Sequence, residues 1–221
     1  MFRQLFSALT GGDELDLAFS DFAEMLDHAA WMFVQANEVL TRRSSAEEVQ
    51  EALYSRDQAI NDLLKSVRRK IVRHLAVNPG TDAAPSLALM SVAKDAERIG
   101  DYCKNVFEVG RFYNEDFTVA EYHEQLEAIY GDVETLFANV RHAWRESSSS
   151  KAKSAIKQAD AIRGRCDDVI EQLLRGRESM KMHEAVAYSL LARHYKRVAA
   201  HLANISTAVM GRIEDLDFRK P

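Results

Sequence analysis

Three polar residues in the middle of the chain have the types and the spacing of a cation-binding strip. Glu97, Asp101 and Asn105 follow one another at intervals of four residues. On a helix, side chains four residues apart lie above one another on the same face. Two carboxylates placed in this way repel each other by only about 0.2–0.5 kcal/mol when they are exposed. Taken alone, the three residues are therefore also compatible with an ordinary solvated acidic face.

A second pair of oxygen donors lies upstream. Asp57 and Asn61 are also four residues apart, and carboxylate and amide oxygens are the ligands that hard cations prefer. If the two stretches lie on antiparallel neighbouring helices, these donors face Glu97 and Asp101. A cation held between the two helices would then meet Asp57, Asn61, Glu97 and Asp101. We expect Asn105, on the same strip as Glu97 and Asp101, and the neighbouring Arg98 to support such a site.

The elements that must position these residues are helices. The chain of 221 residues contains only 3 Pro and 9 Gly, which are too few turn-forming residues for a protein with many strands. Apolar residues recur at alternating intervals of three and four, which is typical of amphipathic helices. We predict six helices of roughly 25–35 residues, separated by breaks that contain Ser, Asn, Pro or Gly. These breaks are residues 44–45, 78–80, 114–116, 147–150 and 176.

Two of these breaks carry helix-capping signals. Ser45 can cap the second helix, because a serine hydroxyl accepts from free backbone N–H groups and the following acidic residues suit the positive helix end. In the same way, Ser179 is expected to cap the last helix. Short breaks make successive helices antiparallel neighbours. The sequence predicts an all-α protein of two tandem antiparallel three-helix bundles, residues 1–114 and 115–221, although periodicity alone also allows a single six-helix array.

An internal repeat favours the two-bundle arrangement. The segments 95–106 and 194–205 lie on the third helix of each proposed half, and their matching positions are 99 residues apart. A duplicated three-helix unit would produce this recurrence. The matched pairs are Arg98 with Arg197, Ile99 with Val198, and Asn105 with Asn204.

The same residues carry a family resemblance. The run Glu97-Arg-Ile-Gly-Asp101 followed by Asn105 resembles the signature on the third helix of PhoU domains, and Asp57-Gln-Ala-Ile-Asn61 resembles the acidic motif on their second helix. The resemblance implies a PhoU-like six-helix fold and a metal site in the first half, in which Asp57, Asn61, Glu97 and Asp101 hold a divalent or trivalent ion, iron or zinc. It also implies a regulator of phosphate uptake rather than an enzyme, one that links a membrane phosphate transporter to a sensor histidine kinase.

Charge and hydropathy argue against nucleic acid as a partner and against a membrane-spanning protein. The formal net charge of −5, without a block of basic residues, gives no drive toward nucleic acid. No apolar run approaches the roughly 20 residues that cross a bilayer, and residues 1–9 lack the features of a signal peptide. We therefore expect a cytoplasmic protein. As a separate prediction, we expect it to form a homo-oligomer, a dimer. The helical spacing of residues 1–9 favours a docked terminal turn over peripheral contact with a membrane.

The second half departs from the signature in a way that matters chemically. Lys196 and Ala200 stand at the positions of the two acidic residues, and an ammonium opposes a cation instead of binding it. We predict that the second bundle keeps the fold but has lost most of its metal site. His194 and His201 are substitute ligands on this helix, although they are seven residues apart and ordinary histidines are the simpler interpretation.

Several residues have a structural as well as a functional interpretation. Arg98 and Arg197 are expected to pair with acids of their own bundle, in preference to binding phosphate or a partner. Cys103 and Cys166 fall on apolar faces and are expected to be buried free thiols.

Two alternative functions stay open at this point. A scaffold bundle without metal would tolerate replacement of Glu97 and Asp101, and a regulator could serve a transporter other than one for phosphate. An enzyme of the ferritin-like type is disfavoured because that chemistry places Glu-x-x-His motifs on bundle helices, and the required set is absent from this sequence.

Overall fold

The computed structural model describes residues 13–80, 82–176 and 180–216. These residues form six long helices and a short 3₁₀ turn, which confirms the predicted all-α class. The helices are α1 (Asp13–Leu40), α2 (Ala46–Val77), α3 (Ala83–Phe112), α4 (Ala120–Glu146), α5 (Ser149–Arg175) and α6 (Met182–Val209), followed by the 3₁₀ turn Ile213–Asp215.

The helices pack as two antiparallel triplets that share one core. In the first triplet α1 contacts α2 and α3, and in the second α6 contacts α4 and α5. The halves meet where α3 lies against α6 and α1 lies against α4. A single cluster of buried apolar side chains runs through both triplets. The predicted boundary between residues 114 and 115 falls in the segment that joins α3 to α4.

Local capping explains several helix ends. The Ser45 hydroxyl accepts from the backbone N–H of Glu48 at 3.3 Å, and the Glu48 carboxylate accepts from the N–H of Ser45 at 3.0 Å. This reciprocal pair is the predicted cap of α2. Gly176 ends α5 with a φ of +60°, a conformation that favours glycine. The predicted cap at Ser179 and the segment 1–9 lie outside the described residues.

The connection between α4 and α5 is shorter than the predicted run of four serines. Ser147 ends α4 in the left-handed conformation, and Ser148 caps α5 by accepting from the backbone N–H of Lys151. Ser149 and Ser150 already belong to α5. Because Ser148 already caps the free N–H groups, the helix begins directly after it and only half of the serine run lies outside the helices.

A buried carboxylate fixes the start of α4. Glu184 of α6 is fully buried, and its carboxylate accepts from the backbone N–H groups of Thr118 at 2.5 Å and Val119 at 3.2 Å. The Thr118 hydroxyl donates to the same carboxylate at 2.7 Å. Burial raises the pKa of Glu184, but these hydrogen bonds outweigh it and the pKa is lowered overall. A side chain from α6 thus supplies the cap that α4 lacks in its own sequence.

In the first half of α6, two apolar residues with helical spacing do not lie on the buried face. Val186 and Leu190 are four residues apart, but they are 52% and 41% exposed. Tyr188, Leu191 and Tyr195 are buried instead. Because α6 packs against three other helices, most of its surface is covered and apolar residues occur on nearly every side. Periodicity then no longer identifies the inner face.

None of the six helices in the described part of the chain has an apolar stretch long enough to cross a bilayer.

Candidate functional site

The predicted acidic strip lies where α2 and α3 approach closely. A methyl group added to Gly100 of α3 would lie 3.2 Å from the Ile60 Cδ1 atom and 3.7 Å from the Asp57 Oδ1 atom. The absence of a side chain at Gly100 therefore leaves room for α2 and for the Asp57 carboxylate. Gly100, on the inner side of α3, therefore determines how closely the Asp57 carboxylate of α2 can approach the side chains of α3.

Asp57 and Asp101 converge on one ammonium group. The Lys104 Nζ atom lies 3.0 Å from the Asp57 Oδ2 atom and 3.0 Å from the Asp101 Oδ1 atom. Burial lowers the pKa of Lys104, but its hydrogen bonds to Asp101 and Asp57 raise it overall. At neutral pH the lysine is therefore charged, and it neutralises part of the repulsion between the two carboxylates.

The other two predicted ligands are arranged differently. Glu97 is mostly buried; its Oε1 atom lies 2.5 Å from Lys94 Nζ, and its Oε2 atom is buried without a hydrogen-bond partner. Asn61 is partly buried on α2. Within the described residues, no hydrogen bond or ion pair joins Glu97 or Asn61 to Asp57 or Asp101. The structure thus brings together one predicted pair of ligands and leaves the other pair beside it.

The donor chemistry suits a hard cation, although the side chains are not arranged as a completed metal centre. In the described part of the chain, no group of three or more His, Cys, Asp or Glu residues has an arrangement that could hold a metal ion. The carboxylates of Asp57 and Asp101 already share a cation, the Lys104 ammonium, and the free Oε2 atom of Glu97 retains unused acceptor capacity. Carboxylate oxygens are the donor type that hard cations prefer, but the Lys104 ammonium occupies the space between two of them.

The exposed side of the strip faces an open groove with a volume of about 430 Å³. Both predicted supporting residues, Arg98 and Asn105, line it together with Asp101. Arg98 is exposed and Asn105 is partly buried. Three residues of the signature, Arg98, Asp101 and Asn105, therefore share one solvent-accessible surface. The complete lining is Tyr54, Arg98, Asp101, Tyr102, Lys104, Asn105 and Glu108.

Comparison with known proteins identifies the family. The family model described as "PhoU domain" matches the chain twice, at residues 22–109 and 126–209. The chain belongs to the PhoU family. The strip, with its groove and Lys104, lies within the first of the two PhoU domains.

Relatives and solved structures agree with this assignment. A curated protein of Clostridium acetobutylicum, "Phosphate-specific transport system accessory protein PhoU homolog", is 18% identical over 213 residues, covering 93% of this chain and 92% of that protein. The crystal structure of PhoU from Pseudomonas aeruginosa superposes with a TM-score of 0.80 at 17% identity, over 91% of this chain and 97% of that one. The phosphate transport system regulatory protein PhoU from Streptococcus pneumoniae gives a TM-score of 0.70 at 22% identity, over 92% and 96% of the chains. At these identities the solved structures establish the fold alone.

The two PhoU domains are joined by a polar cluster that the sequence did not indicate. His201 of α6 and Asp95 of α3 are buried, and their Nδ1 and Oδ1 atoms lie 2.6 Å apart. Asn204 donates to the same Asp95 oxygen at 3.2 Å. The Tyr102 ring stacks on His201 with ring centroids 5.8 Å apart. The available signal was Asp95 itself, a carboxylate within the apolar stripe of α3.

The signature arginines do not form the expected ion pairs. Arg197 donates from Nε to the Tyr102 hydroxyl at 3.0 Å, so it contacts the other PhoU domain instead of an acid of its own. Arg98 is exposed and makes no ion pair with any described residue. Arg197 lies on α6, which packs against α3 of the other domain, so its partner is not found within its own bundle.

The second PhoU domain replaces the acidic pair with a lysine. The Lys196 ammonium is bound by the Asp167 carboxylate of α5, and Ala200 provides no ligand. His194 is partly buried, and burial together with the charge of Arg193 lowers its pKa. His201 is committed to Asp95. Lys196 is thus paired within its own domain, whereas His201 is paired with Asp95 of the first domain.

The two cysteines agree with the sequence-based prediction. Cys103 and Cys166 are both buried and free. Burial raises the pKa of Cys166 to about 12 and that of Cys103 further. Neither thiol is suited to act as a nucleophile at neutral pH.

Proposed function

We propose that this PhoU-family protein regulates a phosphate transport system at the cytoplasmic face of the membrane. It would act by binding a membrane phosphate transporter and a sensor histidine kinase, and it would do so as a homodimer. The role is one of interaction and regulation, not of catalysis. The observation that carries the proposal is the match of both halves of the chain to the PhoU domain, at residues 22–109 and 126–209.

We further propose that the first domain binds a divalent or trivalent metal ion, iron or zinc, at the acidic strip. Asp57, Asn61, Glu97 and Asp101 would provide the oxygen ligands, with Asn105 and Arg98 in support. What supports this is the convergence of Asp57 and Asp101 on a common cation and the free buried Oε2 atom of Glu97. A bound ion would add positive charge to a surface that lies beside the groove and would give partner proteins a charge-dependent contact.

The regulatory part of the proposal is tested in cells that produce the protein and in cells from which its gene has been deleted. Uptake of radiolabelled phosphate is measured after growth at high and at low phosphate. We expect faster uptake at high phosphate when the protein is missing and a smaller difference at low phosphate. Identical uptake with and without the protein under both conditions would remove phosphate transport from its function and favour a different transporter.

Partner binding is tested by purifying the tagged protein from solubilised membranes and identifying the proteins that accompany it. Recovery of a phosphate transporter subunit or a histidine kinase, at levels reduced by competing untagged protein, is the expected result. Recovery of neither would contradict the interaction mechanism. Sedimentation of the purified protein measures its mass in solution, and a mass of one chain would contradict the proposed dimer.

The metal part is tested by elemental analysis of purified protein. The double variant Glu97→Ala, Asp101→Ala removes two proposed ligands, and we expect it to contain much less iron or zinc than the wild-type protein. Glu47→Ala, Glu51→Ala is the matched control, because it removes an exposed acidic pair with the same spacing from α2. Equal metal content in all three proteins would exclude the site and favour a metal-free scaffold.

A further inference from the structure

The seam between α2 and α3 contains a feature that the metal-site motif does not explain. Lys104 is only 22% exposed, although a lysine on a helix surface can normally extend into water. Its Nζ atom lies 3.0 Å from an oxygen of Asp57 on the neighbouring helix and 3.0 Å from an oxygen of Asp101 on its own helix. An ammonium held by two carboxylates occupies the position in which a shared metal ion would meet them.

The local backbone makes this position available to the lysine. Asp101 and Lys104 are three residues apart on α3, so their side chains meet on the same face. Gly100 leaves room for Asp57 to reach that face from α2. The Asp57 carboxylate is itself only 15% exposed. Removing a carboxylate from water is costly unless a positive or hydrogen-bonding partner compensates it. Lys104 supplies that charge without any ligand from outside the chain.

The second domain provides an independent instance of the same arrangement. There Lys196 of α6 is bound by Asp167 of α5, which correspond to α3 and α2 of the first domain. Lys196 comes from a different position of the helix than Lys104, since it stands where the first domain has Glu97. In both domains, a lysine on the third helix thus forms an ion pair with an aspartate on the second helix, although the two lysines stand at different positions.

We propose that Lys104 is the internal counter-cation of the acidic strip and competes with a metal ion for Asp57 and Asp101. This inference rests on the proposed metal site, and it determines how that site behaves. Metal binding requires the Lys104 ammonium to leave both carboxylates. The wild-type protein therefore binds metal more weakly than its carboxylates alone would, and it remains folded with its charges balanced when metal is scarce.

The competition is tested by titrating metal-free protein with Zn²⁺ and measuring heat by calorimetry. Lys104→Met keeps the length and apolar stem of the side chain but removes the charge. We expect this variant to bind Zn²⁺ about tenfold or more tightly than the wild type, since net ligand charge sets the affinity of such sites. Adding Asp101→Asn to Lys104→Met should abolish the gain. Lys65→Met is the matched control, because Lys65 is an exposed lysine of α2 that pairs with an acid on its own helix, and it should bind as the wild type does.

A second measurement without metal tests the role as counter-cation. In urea denaturation, Lys104→Met should unfold at a lower urea concentration than the wild type, because two neighbouring carboxylates lose their common partner. Asp101→Asn in the Lys104→Met background should restore part of that loss, which loss of packing alone would not allow.

The outcomes separate this inference from the proposal on which it rests. Equal and measurable Zn²⁺ affinity of wild type and Lys104→Met would overturn the competition and leave the metal site standing. No Zn²⁺ binding by either protein would overturn both the competition and the metal site. The regulatory role would in each case be decided by the uptake experiment alone.

Discussion

A close approach of α1 and α3 gives a specific stability prediction. Gly110 of α3 faces the end of α1, where an added Cβ atom would lie 2.9 Å from both the Cα and the N atoms of Leu40 and 3.3 Å from the carbonyl carbon of Val39. Carbon atoms in contact prefer separations of about 3.5–4.0 Å. The obstacle is helix backbone, which cannot rotate away as a side chain can. Gly110→Ala must therefore push α1 and α3 apart.

The expected magnitude combines two opposing effects. Alanine is favoured over glycine in a helix by about 1 kcal/mol, whereas overpacking costs about 1–3 kcal/mol and sometimes more. With two backbone atoms obstructing the methyl group, we place Gly110→Ala near the upper end of that cost, for a net loss of about 2 kcal/mol. In a chain of this size, this lowers the melting temperature by roughly 4–8 °C.

Gly164 provides the matched control. It lies in the interior of α5, and an added Cβ atom would meet no other atom within 4 Å. Gly164→Ala gains the helical preference without the steric cost, so we expect it to stabilise the protein by about 0.5–1 kcal/mol. Urea denaturation of both variants measures the free energy of unfolding. If Gly110→Ala proved as stable as Gly164→Ala, α1 and α3 would not approach as closely as described, and the argument would fail.

Two further predictions concern charged groups that join separate helices. Glu184→Gln should lower the free energy of unfolding by about 1.5–3 kcal/mol, because a buried carboxylate that accepts three hydrogen bonds from Thr118 and Val119 becomes a neutral amide. Since the pKa of Glu184 is lowered below its ordinary value of 4.5, its stabilising contribution is present above that pH and is lost as the pH falls through the folded-state pKa. Asp27→Asn should cost at most about 1 kcal/mol, because Asp27 binds two arginines of α4 at a partly exposed site.

Both effects are measured by chemical denaturation under varied conditions. The difference between wild type and Glu184→Gln should shrink when the pH is lowered below 4.5, and a difference that is constant with pH would contradict the assigned role of the carboxylate. The effect of Asp27→Asn should diminish with added salt, since exposed ion pairs are screened. An effect that is independent of salt would indicate lost packing instead of lost charge.

The helices and the repeat could be predicted from the sequence because both depend on local spacing. Intervals of three and four place apolar residues on one face whatever the helix contacts. The alignment of Glu97, Asp101 and Asn105 on one strip follows from the same geometry, as does the capping pair of Ser45 and Glu48. These relations involve residues within one or two turns of one another.

The partners of the functional side chains depended on the tertiary structure. Lys104 and Asp57 are 47 residues apart, and their contact depends on how α2 and α3 are rotated about their axes and how closely Gly100 lets them approach. The bond from Arg197 to Tyr102 spans 95 residues and two domains. The spacing of apolar residues along one helix does not indicate which side chains of another helix it will meet.

The sequence by itself therefore determined which side chains offer oxygen donors: Asp57 and Asn61 on one face of α2, and Glu97 and Asp101 on one face of α3. The tertiary structure decided that Lys104 lies between Asp57 and Asp101. It also decided that α6 packs against three other helices while Val186 and Leu190 remain exposed. The physical reason is that a helix fixes the directions of its own side chains, but the charges and surfaces that meet them belong to other helices.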